Sequence, residues 1–220
     1  MRMLKGVSLM LVLVLASAAW GQDLMPKSEI TGGYTYGSMD QNVGFGSAGR
    51  LNSNGWNTGA TAFINRWLGI EGNIAGLSHS ESASLTSGTT TVTGSASEKH
   101  YTFVFGPRVS FGQGRMSPFV HGLFGFDRMS LSSSGSVAGV SLSADGSDTS
   151  FASALGGGVE FGATKHLAVT TGFDYLMTRH GIPSAFLPVG VSGSSATQNN
   201  VRVSVGLAYH FGMGSGRPKR

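Results

Sequence analysis

The side chains that could do chemistry in this chain are six histidines and a sparse set of carboxylates and guanidiniums, dispersed among serines. His180 follows Arg179, His79 lies between Ser78 and Ser80, and Asp127 with Arg128 ends an alternating segment. A serine hydrolase needs a base within hydrogen-bond reach of its nucleophile and a third group that orients the base. Where serine is this abundant, such proximity arises by chance, so no catalytic residue is expected; His166, in a short connection, is expected to be solvated. Spacing gives metal binding no support either, because there is no cysteine, no His-Glu-x-x-His, and the histidines are scattered. The triplet Gly156–Gly158 lies inside a strand pattern without the helix that a phosphate-cradling glycine loop requires. No catalytic centre, metal or cofactor is therefore expected.

Position makes the charged residues more informative. Glu71, Arg108, Asp127, Glu160, Asp174 and Arg202 all fall in segments where large apolar residues alternate with small or polar ones, and all fall on the small side. Residues two apart on a strand share a face. In "VRVSVGLAYHF", 201–211, Val201, Val203, Val205, Leu207, Tyr209 and Phe211 take one face and Arg202, Ser204, Gly206, Ala208 and His210 the other. The same pattern recurs at about 29–37, 55–64, 68–78, 99–111, 118–128, 150–162 and 167–178, which makes eight segments. Each is close to the ~9–11 residues that a tilted strand needs to cross a bilayer. Within 118–128, Phe119, His121, Leu123 and Asp127 share one parity; Val120, Phe124 and Phe126 are assigned to lipid. Pro107 falls on an outward position, where a missing ladder donor suggests a bulge.

The connections alternate in length. "NRW", "GQGRMS" and "ATKH" are tight turns, whereas the others are long and rich in Ser, Thr and Gly. That alternation describes an up-and-down barrel with one rim at the periplasm and the other outside. The second and third long connections themselves alternate, so their strands are expected to continue beyond the membrane. A soluble sandwich has a bulky inner face and a polar outer one. Here the charged side is built of Gly, Ala, Ser and Thr, too small to fill a sandwich core, and the bulky side is uncharged. The inversion fits a closed barrel with a polar interior and an apolar exterior. Trp56, Trp67, Tyr34, Tyr36, Tyr101, Tyr175, Tyr209 and Phe211 are then candidates for aromatic girdles at the lipid interfaces.

An eight-stranded lumen is just filled by side chains, so charges inside must pair. Neighbouring strands suggest the pairs Glu71 with Arg108 and Asp174 with Arg202, with Glu160 and His210 joining the first cluster. As a plug this network would fix register; as a gate it would pass small ions. On this pairing, Arg108→Met should be tolerated and Arg108→Glu should cost several kcal/mol.

Composition bounds the rest. Basic residues near Met1, an apolar run and small residues up to Gly21 form the pattern of a secretory signal peptide over 1–21. The barrel is assigned to 22–211 and a flexible basic tail to 212–220. Of 15 Lys and Arg against 11 Asp and Glu, two basic residues lie in the leader and three in the tail, so the body holds 10 against 11. No basic surface for nucleic acid follows. With no cysteine in an exported chain, packing and strand pairing must supply the stability.

The stretches "NRWLGIEGNIAG", "YTFVFGPRVSF", "ALGGGVEFG", "KHLAVTTGFDYLMTR" and "NNVRVSVGLAYHFG" together resemble the strands of the OmpA-like outer-membrane β-barrel domain family, in its stand-alone form. The resemblance implies an all-β, eight-stranded antiparallel up-and-down transmembrane β-barrel in the bacterial outer membrane, with both termini in the periplasm. It also implies a closing strand, Val201–Phe211, that the barrel assembly machinery takes as an insertion signal, although here "GMGSGRPKR" follows it. The expected role is a monomeric, non-enzymatic structural or surface-interaction protein. Its partners would be outer-membrane lipids and lipopolysaccharide, with a possible extracellular ligand at the loops. A narrow low-conductance pore, a lipid-modifying hydrolase using His180, and a soluble exported lipid-binding barrel are the alternatives.

Overall fold

The computed structural model describes residues 28–42, 47–87, 90–111, 115–137, 140–181 and 195–211; the leader and tail assignments lie outside them. Eight strands follow one another: β1 (Ser28–Asn42), β2 (Ser47–Phe63), β3 (Leu68–Ser87), β4 (Thr90–Ser110), β5 (Met116–Val137), β6 (Val140–Gly162), β7 (Leu167–Gly181) and β8 (Ser195–Phe211). Each pairs antiparallel with its predecessor, and β8 pairs with β1 to close the barrel. Within the apolar belt closure pairs each strand on both sides, which a sheet surrounded by hydrocarbon requires.

Period-two alternation sets the faces. Glu71, Arg108, Asp127, Asp174 and Arg202 are buried inside, whereas Phe103, Phe105, Leu155, Phe173 and Leu207 are exposed outside. On β5 the buried set is Phe119, His121, Leu123 and Asp127, and Val120, Phe124 and Phe126 face out. At the closing seam the barrel needs glycine. A Cβ on Gly33 would lie 2.3 Å from the Val205 carbonyl oxygen, and one on Gly206 would lie 2.4 Å from that of Gly32. Gly33 and Gly206 are register partners, so the first and last strands meet where neither carries a side chain.

Two features differ from the sequence reading. Pro107 makes no bulge: Phe105↔Phe124 and Arg108↔His121 keep one register on either side of it. Proline lacks an N–H but holds an extended φ, so the ladder is interrupted without inserting a residue. The bulge falls instead in β1–β2, between Asp40 and Asn42. The strands are also longer than a bilayer needs, with 22 residues in β5 and 23 in β6. The β5–β6 pairing runs unbroken from Met116↔Phe161 to Val137↔Val140, and β3–β4 from Leu68↔Val109 to Ser87↔Thr90. The alternating stretches of the second and third long connections are thus strand where the structure describes them, at 82–87, 90–93, 136–137 and 140–144, projecting beyond the apolar belt.

Candidate functional site

The lumen is layered along its axis. Near the tight turns, Arg108 on β4 forms an ion pair with Glu160 of β6 and lies 3.0 Å from Glu29 Oε1 of β1. Its guanidinium also stacks 3.9 Å above the centre of the Phe119 ring. His210 Nε2 approaches Glu29 at 3.2 Å and Glu160 at 3.4 Å. Glu71, the partner expected for Arg108, stays 3.9 Å away and has a closer contact at His121 Nδ1, 3.0 Å. The difference is one of reach. In so narrow a lumen a long side chain meets strands across the interior as readily as its neighbours.

One layer up, Arg202 Nη2 donates to Asp174 Oδ2 at 2.8 Å, and His121 Nε2 lies 2.7 Å from Asp174 Oδ1. His121 thereby links the two clusters. Gly156 clears the space for it: a Cβ there would sit 2.2 Å from Asp174 Oδ1 and 2.9 Å from His121 Nε2. A small cavity of about 40 Å³ lies among Glu71, Asn73, Arg108, His121 and Asp174. Above this the interior turns apolar, with Val104, Leu123, Ala152, Ala154 and Leu176 packed together.

A second polar layer lies beyond, at the end away from the tight turns. Asp127 Oδ2 is 2.8 Å from His100 Nδ1 and 2.9 Å from His180 Nε2. Thr102 Oγ1 donates to the other oxygen, Oδ1, at 2.6 Å. The remaining ring nitrogens also meet carboxylates: His100 Nε2 is 2.7 Å from Glu98, and His180 Nδ1 is 3.1 Å from Asp148. Glu98 stands above the outward apolar residues of β4. Burial opposes its charge, but the hydrogen bond and positive field of His100 outweigh that and hold the carboxyl below its ordinary value.

The sequence reading missed this cluster, although Asp127 was placed inside. His100, Asp127 and His180 are 27 and 53 residues apart and sit on β4, β5 and β7, so no local spacing announces them. Glu29 carried a usable signal, since it shares parity with Thr31, Gly33 and Thr35.

The aromatic candidates lie on the outside. Trp56, Tyr101, Tyr175, Tyr209 and Phe211 project from strands, and Trp67 from the β2–β3 turn; all are exposed. Tyr175 donates its hydroxyl to Asn199 at 2.7 Å, and Tyr34 donates to Asn54 at 2.6 Å. Tyr209 and Phe211 meet edge to face at 4.8 Å. The outward apolar residues then give way to cations: Lys99 beyond Tyr101, Arg128 beyond Phe126, Arg179 beyond Met177.

The projecting parts of β3–β6 form a concave, hydroxyl-rich surface. Two cavities of about 390 and 500 Å³ open there, lined by serines such as Ser82, Ser95, Ser97, Ser132 and Ser134, with Glu81 and Asp145 at the second.

A family model described as the outer membrane protein beta-barrel domain matches residues 7–213. No curated protein has a matching sequence. Among solved structures, the chain is similar to Ail, the attachment invasion locus protein of Yersinia pestis, with 18% identity over 84% of this chain and 97% of that one, at a TM-score of 0.50. It is also similar to Neisserial surface protein A, with 12% identity over 86% of this chain and 100% of that one, at a TM-score of 0.50. At these identities the likeness concerns the fold.

Proposed function

This chain belongs to the outer membrane protein β-barrel domain family, and from that premise we propose that it is a non-enzymatic, monomeric surface-interaction protein of the bacterial outer membrane that binds through its projecting sheet. The observation that carries the reading is the extension of β3–β6 well past the apolar belt, ending in a concave surface of hydroxyls and a few carboxylates. A barrel needing only to span would stop at ~9–11 residues per strand. In this reading the tight turns face the periplasm and the serine-lined surface faces outward. Lys99, Arg128 and Arg179, just beyond the apolar residues, meet the phosphates of lipopolysaccharide. Trp56, Tyr101 and Tyr175 anchor one interface, and Trp67, Tyr209 and Phe211 the other. The closing strand serves as the recognition element for the assembly machinery.

The test is to replace 80–97 and 130–147 with short turns and present both forms in nanodiscs to glycan and extracellular-matrix arrays. The full-length barrel should bind a ligand saturably. The shortened one should lose that binding while keeping its heat-modifiable gel migration. Retention of all binding by the shortened form would refute the assignment.

The pore reading is disfavoured by the layers themselves, because two ionic clusters and an apolar layer between them fill the lumen around a cavity that holds only a few waters. Planar bilayers are expected to show no steady single-channel conductance; a reproducible one would reinstate the pore.

A hydrolase has one observation in its favour. Ser150 Oγ lies 3.2 Å from His180 Nε2, and Asp148 is at the opposite nitrogen. Yet the same Nε2 faces the fully buried Asp127 at 2.9 Å, so the nitrogen that would take the serine proton is already engaged. His180 itself is wholly enclosed.

A further inference from the structure

We propose that His100, Asp127 and His180 form a binding site for one divalent transition-metal ion, of the zinc or cobalt type, which ties the far end of the barrel together. Three atoms from three strands converge: His100 Nδ1, His180 Nε2 and Asp127 Oδ2, the last within 2.9 Å of both nitrogens. Two imidazoles and one carboxylate are the nitrogen-and-oxygen donor set that borderline-soft divalent ions take. The ring planes cross at 72° with centroids 5.8 Å apart, and two imidazoles on one ion stand about 5–6 Å apart. With bonds of about 2.0–2.1 Å, a tetrahedral ion separates its donors by about 3.3 Å, so the two oxygen–nitrogen distances would have to open by about half an ångström, and the two nitrogens already lie within 4.8 Å of each other.

The surroundings are those of a ligand shell held in place from outside. A metal-bound histidine characteristically gives its other N–H to a carboxylate, which fixes the ring and raises its basicity. Both rings are so placed, His100 against Glu98 and His180 against Asp148. Thr102 occupies Asp127 Oδ1, which leaves Oδ2 for a single bond. Each of these rings faces a carboxylate at both nitrogens, and one ion at the convergence point would take the Asp127-side nitrogen of both.

The contrast with the other cluster of this kind, Glu29, Glu160 and His210, is instructive. There the Arg108 guanidinium already stands against both carboxylates. Among the described residues, no Lys or Arg forms an ion pair with Glu98, Asp127 or Asp148. The three ligands are buried, one side chain in from solvent, since the Asp148 side chain that meets His180 Nδ1 is partly exposed. In a chain without cysteine, such an ion would join β4, β5 and β7 where the strands leave the apolar belt.

The test is titration of the untagged, folded barrel in detergent micelles with Co²⁺ followed by visible absorption, and with Zn²⁺ by calorimetry. One equivalent should bind and give a cobalt d–d spectrum. His100→Gln and His180→Gln should abolish it, while His79→Gln and His166→Gln should leave it unchanged. Should the first two variants fail to fold, Glu98→Gln and Asp148→Asn decide, because they retain all three ligands. They should weaken binding about 10- to 100-fold. Absence of saturable binding in the wild type overturns the proposal, as does binding that survives His100→Gln or His180→Gln, or affinity untouched by the Glu98 and Asp148 variants.

Discussion

Arg108→Glu is expected to leave the chain unable to reach its folded, heat-modifiable form. The guanidinium is buried against Glu29 and Glu160, with Glu71 at 3.9 Å. Removing one member of a buried ion pair costs about 3–5 kcal/mol, because the partner's charge is left uncompensated. A fourth carboxylate among three adds repulsion to that loss. The total approaches the ~5–15 kcal/mol that separates folded from unfolded domains. The tolerance expected for Arg108→Met from a Glu71 pair joined by Glu160 and His210 is revised by the same geometry. Methionine would strand three carboxylates, with only His210 and His121 close enough to offset them, so a loss of about 3–5 kcal/mol is expected there too. Arg108→Met combined with Glu29→Gln and Glu160→Gln should recover most of it. Urea titration of folding into lipid vesicles, read by gel migration, measures all three. Wild-type stability in the Arg108→Met variant would mean that this network does not hold the lumen closed.

Leu155→Arg is the second large effect, and it probes the outer face. Leu155 is 70% exposed in the middle of the apolar stretch of β6, between Phe151 and Val159. An arginine facing lipid near the midplane of an outer-membrane barrel costs about 2–4 kcal/mol. Leu142, at 74%, is equally exposed on the same strand but projects beyond the belt. Leu142→Arg should change stability by less than about 0.5 kcal/mol, as a water-facing substitution does. Comparing the two in the same vesicles isolates the lipid contribution from strand propensity. Equal, small losses would show that Leu155 faces water and would remove the basis for a membrane-spanning assignment of this strand.

Much of the barrel was legible because its signal is local. Alternation at period two assigned Val201 to Phe211 and its seven counterparts to strands and placed Phe105 and Leu207 outside with Arg108 and Arg202 inside. Short and long connections gave antiparallel neighbours in chain order. Even the mixed fifth segment was assigned from parity alone, since one set of faces had to keep Asp127 away from lipid. The ends of the strands were less legible. In serine-rich chain the alternation is shallow, and although Val92 and Thr93 find their β3 partners within ten residues, whether they also pair with β5 depends on partners more than 40 residues away.

The candidate sites were mostly not legible, and the reason is geometric. Asp174 and Arg202 are register partners on β7 and β8, so adjacency was enough to bring them together. Arg108 meets Glu29 and Glu160 on strands that are not its neighbours, and His121 spans Glu71 and Asp174 in the same way. Which inward side chains share a level is set by the register of every intervening pair and by closure at Gly33 and Gly206. That quantity accumulates around the barrel and is written in no single segment. The sequence by itself determined the strand order, through the lengths of the connections, and the faces and the membrane-facing chemistry, because these are decided by a residue and its neighbours two positions away. Only the closed tertiary structure decided that histidines 100 and 180 would share one carboxylate, because the lumen is narrow enough for β7 to reach side chains of β4 and β5.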